Sequence, residues 1–318
     1  MRAFPRYWAT HRQVVTLEDG EFDLVMRGSS DISQEDAERD ARRRFDQIVA
    51  AGGPMRWPRD EYYPDRRLPE ELLDEVHSAT GELIAVITRN RYGSAVLNTD
   101  AVLITDIDIR SITALRMDAA QAARRGRGRT ASSGGGGFFS RLLGRGTRHE
   151  PAPGGNDTQD PDELGLPGRG ARGEEHHRIL ALIDGFRAAH PELGTRTYRT
   201  RNGFRVIVTG TGAGPQSDRA KELMAEMRSD GLYMMLCRVH DTYRARLTPK
   251  PWRVGIRRTD SSWPGADEAW VRKYDEASRS VAVCRFLDAS GPAPSADEQQ
   301  IIDLHDRAVR AESGLRLA

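Results

Sequence analysis

Asp106 and Asp108 stand near the end of the run AVLITDIDI, residues 101–109, behind a short apolar lead and Thr105. In an extended strand residues i and i+2 leave the same face, so both carboxylates project from one side while Ile107 and Ile109 turn to the other. Two like charges held that close repel unless a cation or a proton sits between them. A strand-borne Asp-x-Asp is one way to hold a divalent metal. A strand that stops at Thr105 and leaves two solvated loop aspartates explains the same letters.

A second constellation is basic and aromatic. In YRARLTPKPWR, Arg244, Arg246 and Lys250 alternate in register, with Tyr243 and Trp252 beside them. TRNRYG adds Arg89, Arg91 and Tyr92. Cations interleaved with rings suit a partner that offers phosphates and bases, DNA or RNA; a solvated strand rim with a core tryptophan is the bland alternative. His176-His177 and His305-Asp306 have no companion ligands nearby in sequence and read as non-metal positions.

Composition narrows the classes. Over 318 residues the net charge is +1, so any basic surface must be local rather than a global field. Charged residues make up 30% and aromatics 7%, which describes a polar but foldable chain of one large or two small domains. The two cysteines, Cys237 and Cys284, give neither a disulfide framework nor zinc spacing. MRAFPRYWATHR lacks an apolar core segment of a leader, and no apolar run reaches the length of a membrane span. The expectation is a cytoplasmic protein with no membrane partner.

The elements that must position these residues follow from periodicity and punctuation. Residues 1–28 read as an ordered, strand-poor N-terminal segment. Ser33 caps a helix through ERDARRRFDQIVAAG, with Ala37, Ala41, Phe45, Ile48 and Val49 as its apolar stripe and its arginines mostly on a solvated face. PEELLDEVHSATG predicts a short helix; LIAVITR, SAVLN and AVLITDIDI predict an antiparallel meander whose last strand carries the aspartates. HHRILALIDGFRAAH predicts a helix, TRTYRT and FRVIVTG a hairpin across Arg201-Asn202-Gly203, and helices follow from Ser217, around AWVRKYDEA and on Ile301, Ile302, Leu304, Ala308 and Val309. Between them, residues 118–149 carry seven arginines against Asp118, and 150–175 reverse the sign. Such a charge-segregated stretch predicts a disordered insertion at 118–175 within a single α+β domain built from 1–117 and 176–318.

Three separated pieces line up with a known pattern: LITDIDI, YRTRNGFRVIV, and Asp230 with Tyr233 leading into YRARLTPK. In that order the chain resembles the archaeo-eukaryotic primase (primase–polymerase) superfamily over roughly residues 84–117 and 176–258. It is also similar over nearly its full length to bacterial proteins of unknown function that share TRNRYG, YRT..GFR and ARLTPKPWR. The resemblance implies an RRM-like antiparallel sheet with helices on one face and an N-terminal α/β extension. It implies Asp106, Asp108 and Asp230 as the catalytic carboxylates that hold Mg or Mn, with a nucleoside triphosphate and a nucleic-acid template as substrates. Arg246 and Lys250 would then meet phosphates, and Arg205 would stand where the family places a nucleotide-binding histidine. An arginine there can hold a phosphate by two hydrogen bonds but cannot donate a proton at neutral pH.

Two functional classes follow: a two-metal nucleotidyltransferase, and a catalytically silent RRM-like protein that binds nucleic acid or nucleotide with the same basic and aromatic face. A nucleotide-sugar transferase using the Asp-x-Asp ranks below both. The haloacid-dehalogenase pattern fails, because position 110 is Arg.

Overall fold

The computed structural model describes residues 4–17, 20–52, 70–109, 171–257 and 267–318. The expected insertion lies outside the described residues, except that its end, from Ala171, already belongs to a helix.

The N-terminal segment is a long hairpin, β1 (Tyr7–Leu17) against β2 (Gly20–Ser30), rather than strand-poor chain. Alternation explains it. Ala9, His11, Gln13 and Val15 pair with Gly28, Met26, Leu24 and Phe22, and that face receives helix α1 (Gln34–Ala50). Charges on the opposite face hide the period-two signal in a linear reading. The helix begins where the sequence predicts, with Ser33 Oγ accepting from the Asp36 N–H. Ala37, Ala41 and Phe45 are its buried stripe, and His11 packs edge-on to Phe45 at 4.7 Å.

Two four-stranded antiparallel sheets form the body. One has the order β3 (Glu71–His77), β4 (Leu83–Arg89), β5 (Ala95–Thr99), β9 (Tyr243–Arg246). The other has the order β10 (Cys284–Ser290), β7 (Gly194–Thr200), β8 (Gly203–Thr209), β6 (Leu103–Asp108). The expected helix at ELLDEVH is therefore strand β3. Its helix-forming Glu and Leu residues differ from strand formers by only a few tenths of a kcal/mol each, whereas pairing Glu71 with Arg89 and Val76 with Ala85 satisfies an otherwise open edge of β4.

The expected meander is also divided. β5 pairs with β9, and β6 leaves for the other sheet to pair with β8. The chain turns out of the ladder because Thr99 Oγ1 bonds the Ile84 carbonyl and accepts the Ala101 N–H. The hairpin of β7 and β8 forms as predicted across Arg201 and Asn202. Gly203 serves a different need: a Cβ there would sit 1.9 Å from the Ile107 carbonyl oxygen of β6, so glycine lets the third strand close in.

Helix α2 (Ala171–Ala189) and helix α6 (Ala296–Val309) lie on opposite faces of the second sheet. Arg187 of α2 reaches Thr195 and Thr197, while Asp306 of α6 takes hydrogen bonds from Arg196 and Tyr198, the alternating residues of β7. Helices thus cover both faces, not one. Helix α3 (Asp218–Glu226), α4 (Gly231–His240) and α5 (Glu268–Ser278) complete the α+β body. One apolar core joins the two sheets, with Leu97, Tyr243 and Ala245 from the first and Ile104, Tyr198 and Ile207 from the second fully buried. No described helix is long and apolar enough to cross a membrane.

Candidate functional site

The outer strands β6 and β9 of the two sheets lie side by side, and Tyr233 of α4 bridges them. Its hydroxyl is 3.0 Å from the carbonyls of both Ile104 and Arg244. The N-terminus of α4 docks beside it, with the Asp230 N–H donating to the Asp106 carbonyl at 3.1 Å. The tertiary fold therefore brings Asp230 next to Asp106, far away in sequence, and Asp106 and Asp108 share a face of β6 as the strand period requires.

What these carboxylates touch is decisive. Arg205, directly across the ladder in β8, donates Nε to Asp106 Oδ1 at 2.8 Å and a terminal nitrogen to Oδ2 at 3.1 Å. The guanidinium side chain is 4% exposed, the carboxylate 37%. Burial opposes the charge on Arg205, but Asp106 outweighs it and raises the arginine's affinity for its proton further. Asp230 is the N-cap of α4, its Oδ1 accepting the Tyr233 N–H at 2.9 Å. The cation beside Asp106 is thus a guanidinium of the chain itself. Among the described residues no group of three or more His, Cys, Asp or Glu side chains is placed to hold a metal ion. With Asp106 neutralised by Arg205 and Asp230 capping α4, this arrangement does not fit a two-metal centre.

Arg205 continues into a polar chain that the sequence did not reveal. Another of its N–H groups reaches the Arg246 carbonyl at 3.1 Å and His305 Nε2 at 3.3 Å. A guanidinium only donates, so Nε2 accepts and the imidazole proton lies on Nδ1, 3.1 Å from Asp306 Oδ1. Tyr198 and Arg196 also donate to Asp306. Burial disfavours the Asp306 carboxylate, but the hydrogen bonds from His305 and Tyr198 prevail and lower its proton affinity. His305 is fully buried, and burial, reinforced by the Arg205 cation, lowers its proton affinity against the pull of Asp306. Burial likewise pushes the thiol of Cys284, 3.6 Å from Arg205, up to about 11.

A pH dependence follows. Because the folded-state pKa of His305 lies below the unfolded value near 6.5, its stabilising contribution is complete above that value and is lost as pH falls through it. The expected slope is about 1.4 kcal/mol per pH unit for this one proton. Thermal melts from about pH 7.5 to about 5 are expected to drop more steeply in wild type than in His305→Gln, whose amide oxygen can still accept from Arg205. Equal slopes would remove His305 from the acid response.

The cation–aromatic residues are gathered more completely. The turn Asn90–Gly93 and the loop after β9 meet at one end of the first sheet. Arg91 Cζ lies 4.8 Å from the Tyr92 ring centre, Tyr92 packs edge-on to Trp252 at 5.6 Å, and Lys250 Nζ is 5.3 Å from the Trp252 ring. Trp252 is 45% exposed. The row is held rigidly from below. Tyr274 of α5 donates to the Pro249 carbonyl or Thr248 Oγ1, and Ser94 Oγ bonds the same Pro249 carbonyl. Trp270 stacks on Tyr274 at 4.9 Å and lies so close to Gly93, at φ +93°, that a Cβ there would be 2.2 Å from its ring.

Two of the remaining predicted contacts, Arg89 and Arg244, are internal. Arg89 pairs with Glu71 and holds the Gly93 carbonyl. Arg244 is gripped by Glu70 at 2.7 and 2.6 Å. Arg246 shares the Arg244 face of β9, and burial together with the nearby Arg205 cation lowers its proton affinity. Comparison with protein-family models, with curated proteins and with solved structures finds no match.

Proposed function

We propose that this protein binds nucleic acid through the Arg91–Tyr92–Trp252–Lys250 row, with Arg246 as a phosphate contact, and that it does so without metal chemistry. The observation that carries this reading is the row itself: a cation at each end of an aromatic pair, Tyr92 half-buried and Trp252 exposed, on a braced platform. Rings accept stacked bases of any sequence, and the flanking charges meet the backbone. The Arg205–Asp106 pair supports a binding role over nucleotidyl transfer, because a carboxylate already neutralised within the chain has no need of a divalent ion.

The test is titration of a fluorescent single-stranded oligonucleotide at several salt concentrations. Binding should weaken linearly on a log–log salt plot, with a slope near −0.7 per phosphate contact. Arg246→Ala is expected to weaken binding and flatten that slope by about one contact. An unchanged slope would take Arg246 off the partner surface, and no binding at any salt would end the proposal.

A further inference from the structure

Arg244 and Arg246 leave the same face of β9, opposite Asn98 and Val96 of β5. This face is turned away from the shared core: Val86 and Val96 are 2% and 5% exposed, yet neither belongs to the core cluster. On it lies a compact polar set. Glu70, 6% exposed, accepts from Arg244 at both carboxylate oxygens and from Thr88 Oγ1 at 2.6 Å. Asn98 spends its amide N–H groups on Thr88 Oγ1 and the Val96 carbonyl, and its fully buried Oδ1 has no hydrogen-bond partner among the described residues. Arg246, one strand period from Arg244, is half-buried, with the Arg205 cation and the Asp106 carboxylate nearby.

A half-buried guanidinium on the same strand face as one held by the chain's own carboxylate makes a pair of cations that one external anion could bridge once that carboxylate moves aside. We propose that Glu70 is an internal competitor for Arg244: it holds the guanidinium in the ligand-free protein, and a phosphate group arriving at Arg246 displaces it so that both arginines engage the phosphate. The inference rests on the nucleic-acid reading above and adds its regulation. Displacement is chemically balanced, since a carboxylate is exchanged for a phosphate on the same donor. Affinity is then set by the difference between two anions on one cation rather than by Arg244 alone.

The experiment compares wild type, Glu70→Gln, Thr88→Val and Glu70→Gln/Arg244→Gln, each confirmed folded by its melting transition. The probes are a fluorescent single-stranded oligonucleotide and, separately, inorganic tripolyphosphate. Glu70→Gln keeps the shape and removes the charge, so it should tighten both probes roughly tenfold. Thr88→Val, which weakens the grip on Glu70, should give a smaller gain, and the double variant should lose the gain. Wild type that binds while Glu70→Gln binds no tighter would overturn the inference and leave the nucleic-acid reading standing. A gain that survives in the double variant would equally overturn it, since the released cation would not be Arg244. Failure of every variant to bind either probe would sink both.

Discussion

Replacing Asp106 by alanine is expected to destabilise the protein by about 3 kcal/mol, because it strands a buried guanidinium. Arg205 is 4% exposed and, among the described residues, has no other carboxylate within hydrogen-bonding distance; its other hydrogen bonds there go to the Arg246 carbonyl, the Cys284 sulfur and the neutral His305 ring. The sign separates the two functional classes. A cluster of carboxylates waiting for metal is mutually repelling, so removing one stabilises the metal-free protein. A carboxylate that neutralises a buried arginine does the opposite. Chemical denaturation of wild type and Asp106→Ala reads this directly, and a more stable variant would return the site to the metal reading. Asp106→Asn, which keeps the shape, is the companion for ligand work. Manganese added with a nucleoside triphosphate should shift neither melting temperature. A metal-dependent rise in wild type that vanishes in Asp106→Asn would instead revive nucleotidyl transfer, with Asp106, Asp108 and Asp230 as its carboxylates.

Tyr92→Ala and Trp252→Ala are each expected to weaken single-strand binding by roughly tenfold or more, from the ~1–3 kcal/mol that a stacked base contributes. Trp252 is 45% exposed and Tyr92 half-buried at the surface end of a turn, so neither truncation opens the core. The melting transition should therefore move far less than the affinity. Because the two rings touch, at 5.6 Å between centres, the double variant should lose less than the sum of the single losses. Anisotropy titration checks both points. Full affinity in the double variant would place the partner elsewhere, and a large loss of stability would make the rings packing residues. Phenylalanine at 92 keeps a stacking face and should retain most of the binding, which separates stacking from the Arg91 contact to the tyrosine hydroxyl.

Much of the local structure was legible in the chain. The Ser33 cap, the helix that follows Ser217 and the one around Ala269, the Thr200 to Gly203 turn and the strand carrying Asp106 rest on interactions between near neighbours, which a linear reading sees. So does the crowding of Arg91, Tyr92, Lys250 and Trp252 into suspect segments, though not their assembly into one row. The misreadings share a cause. β3 and the N-terminal hairpin owe their strand state to partners that satisfy an edge or cover a face, and local propensities of a few tenths of a kcal/mol per residue cannot outweigh that. The division of β5 and β6 between sheets likewise depends on β8 and β9, more than a hundred residues away.

The site residues divide along the same line. Residue types and spacing alone determined that Asp106 and Asp108 share a face and that Arg205 points away from Phe204 and Val206. Only the tertiary structure decided who answers those charges. Register places Arg205 opposite Asp106, α6 brings His305 and Asp306 beneath it, α4 makes a cap of Asp230, and Glu70 reaches Arg244. A charge in a sequence states a need for a partner, and long-range packing chooses between a metal, a phosphate and the chain's own arginine.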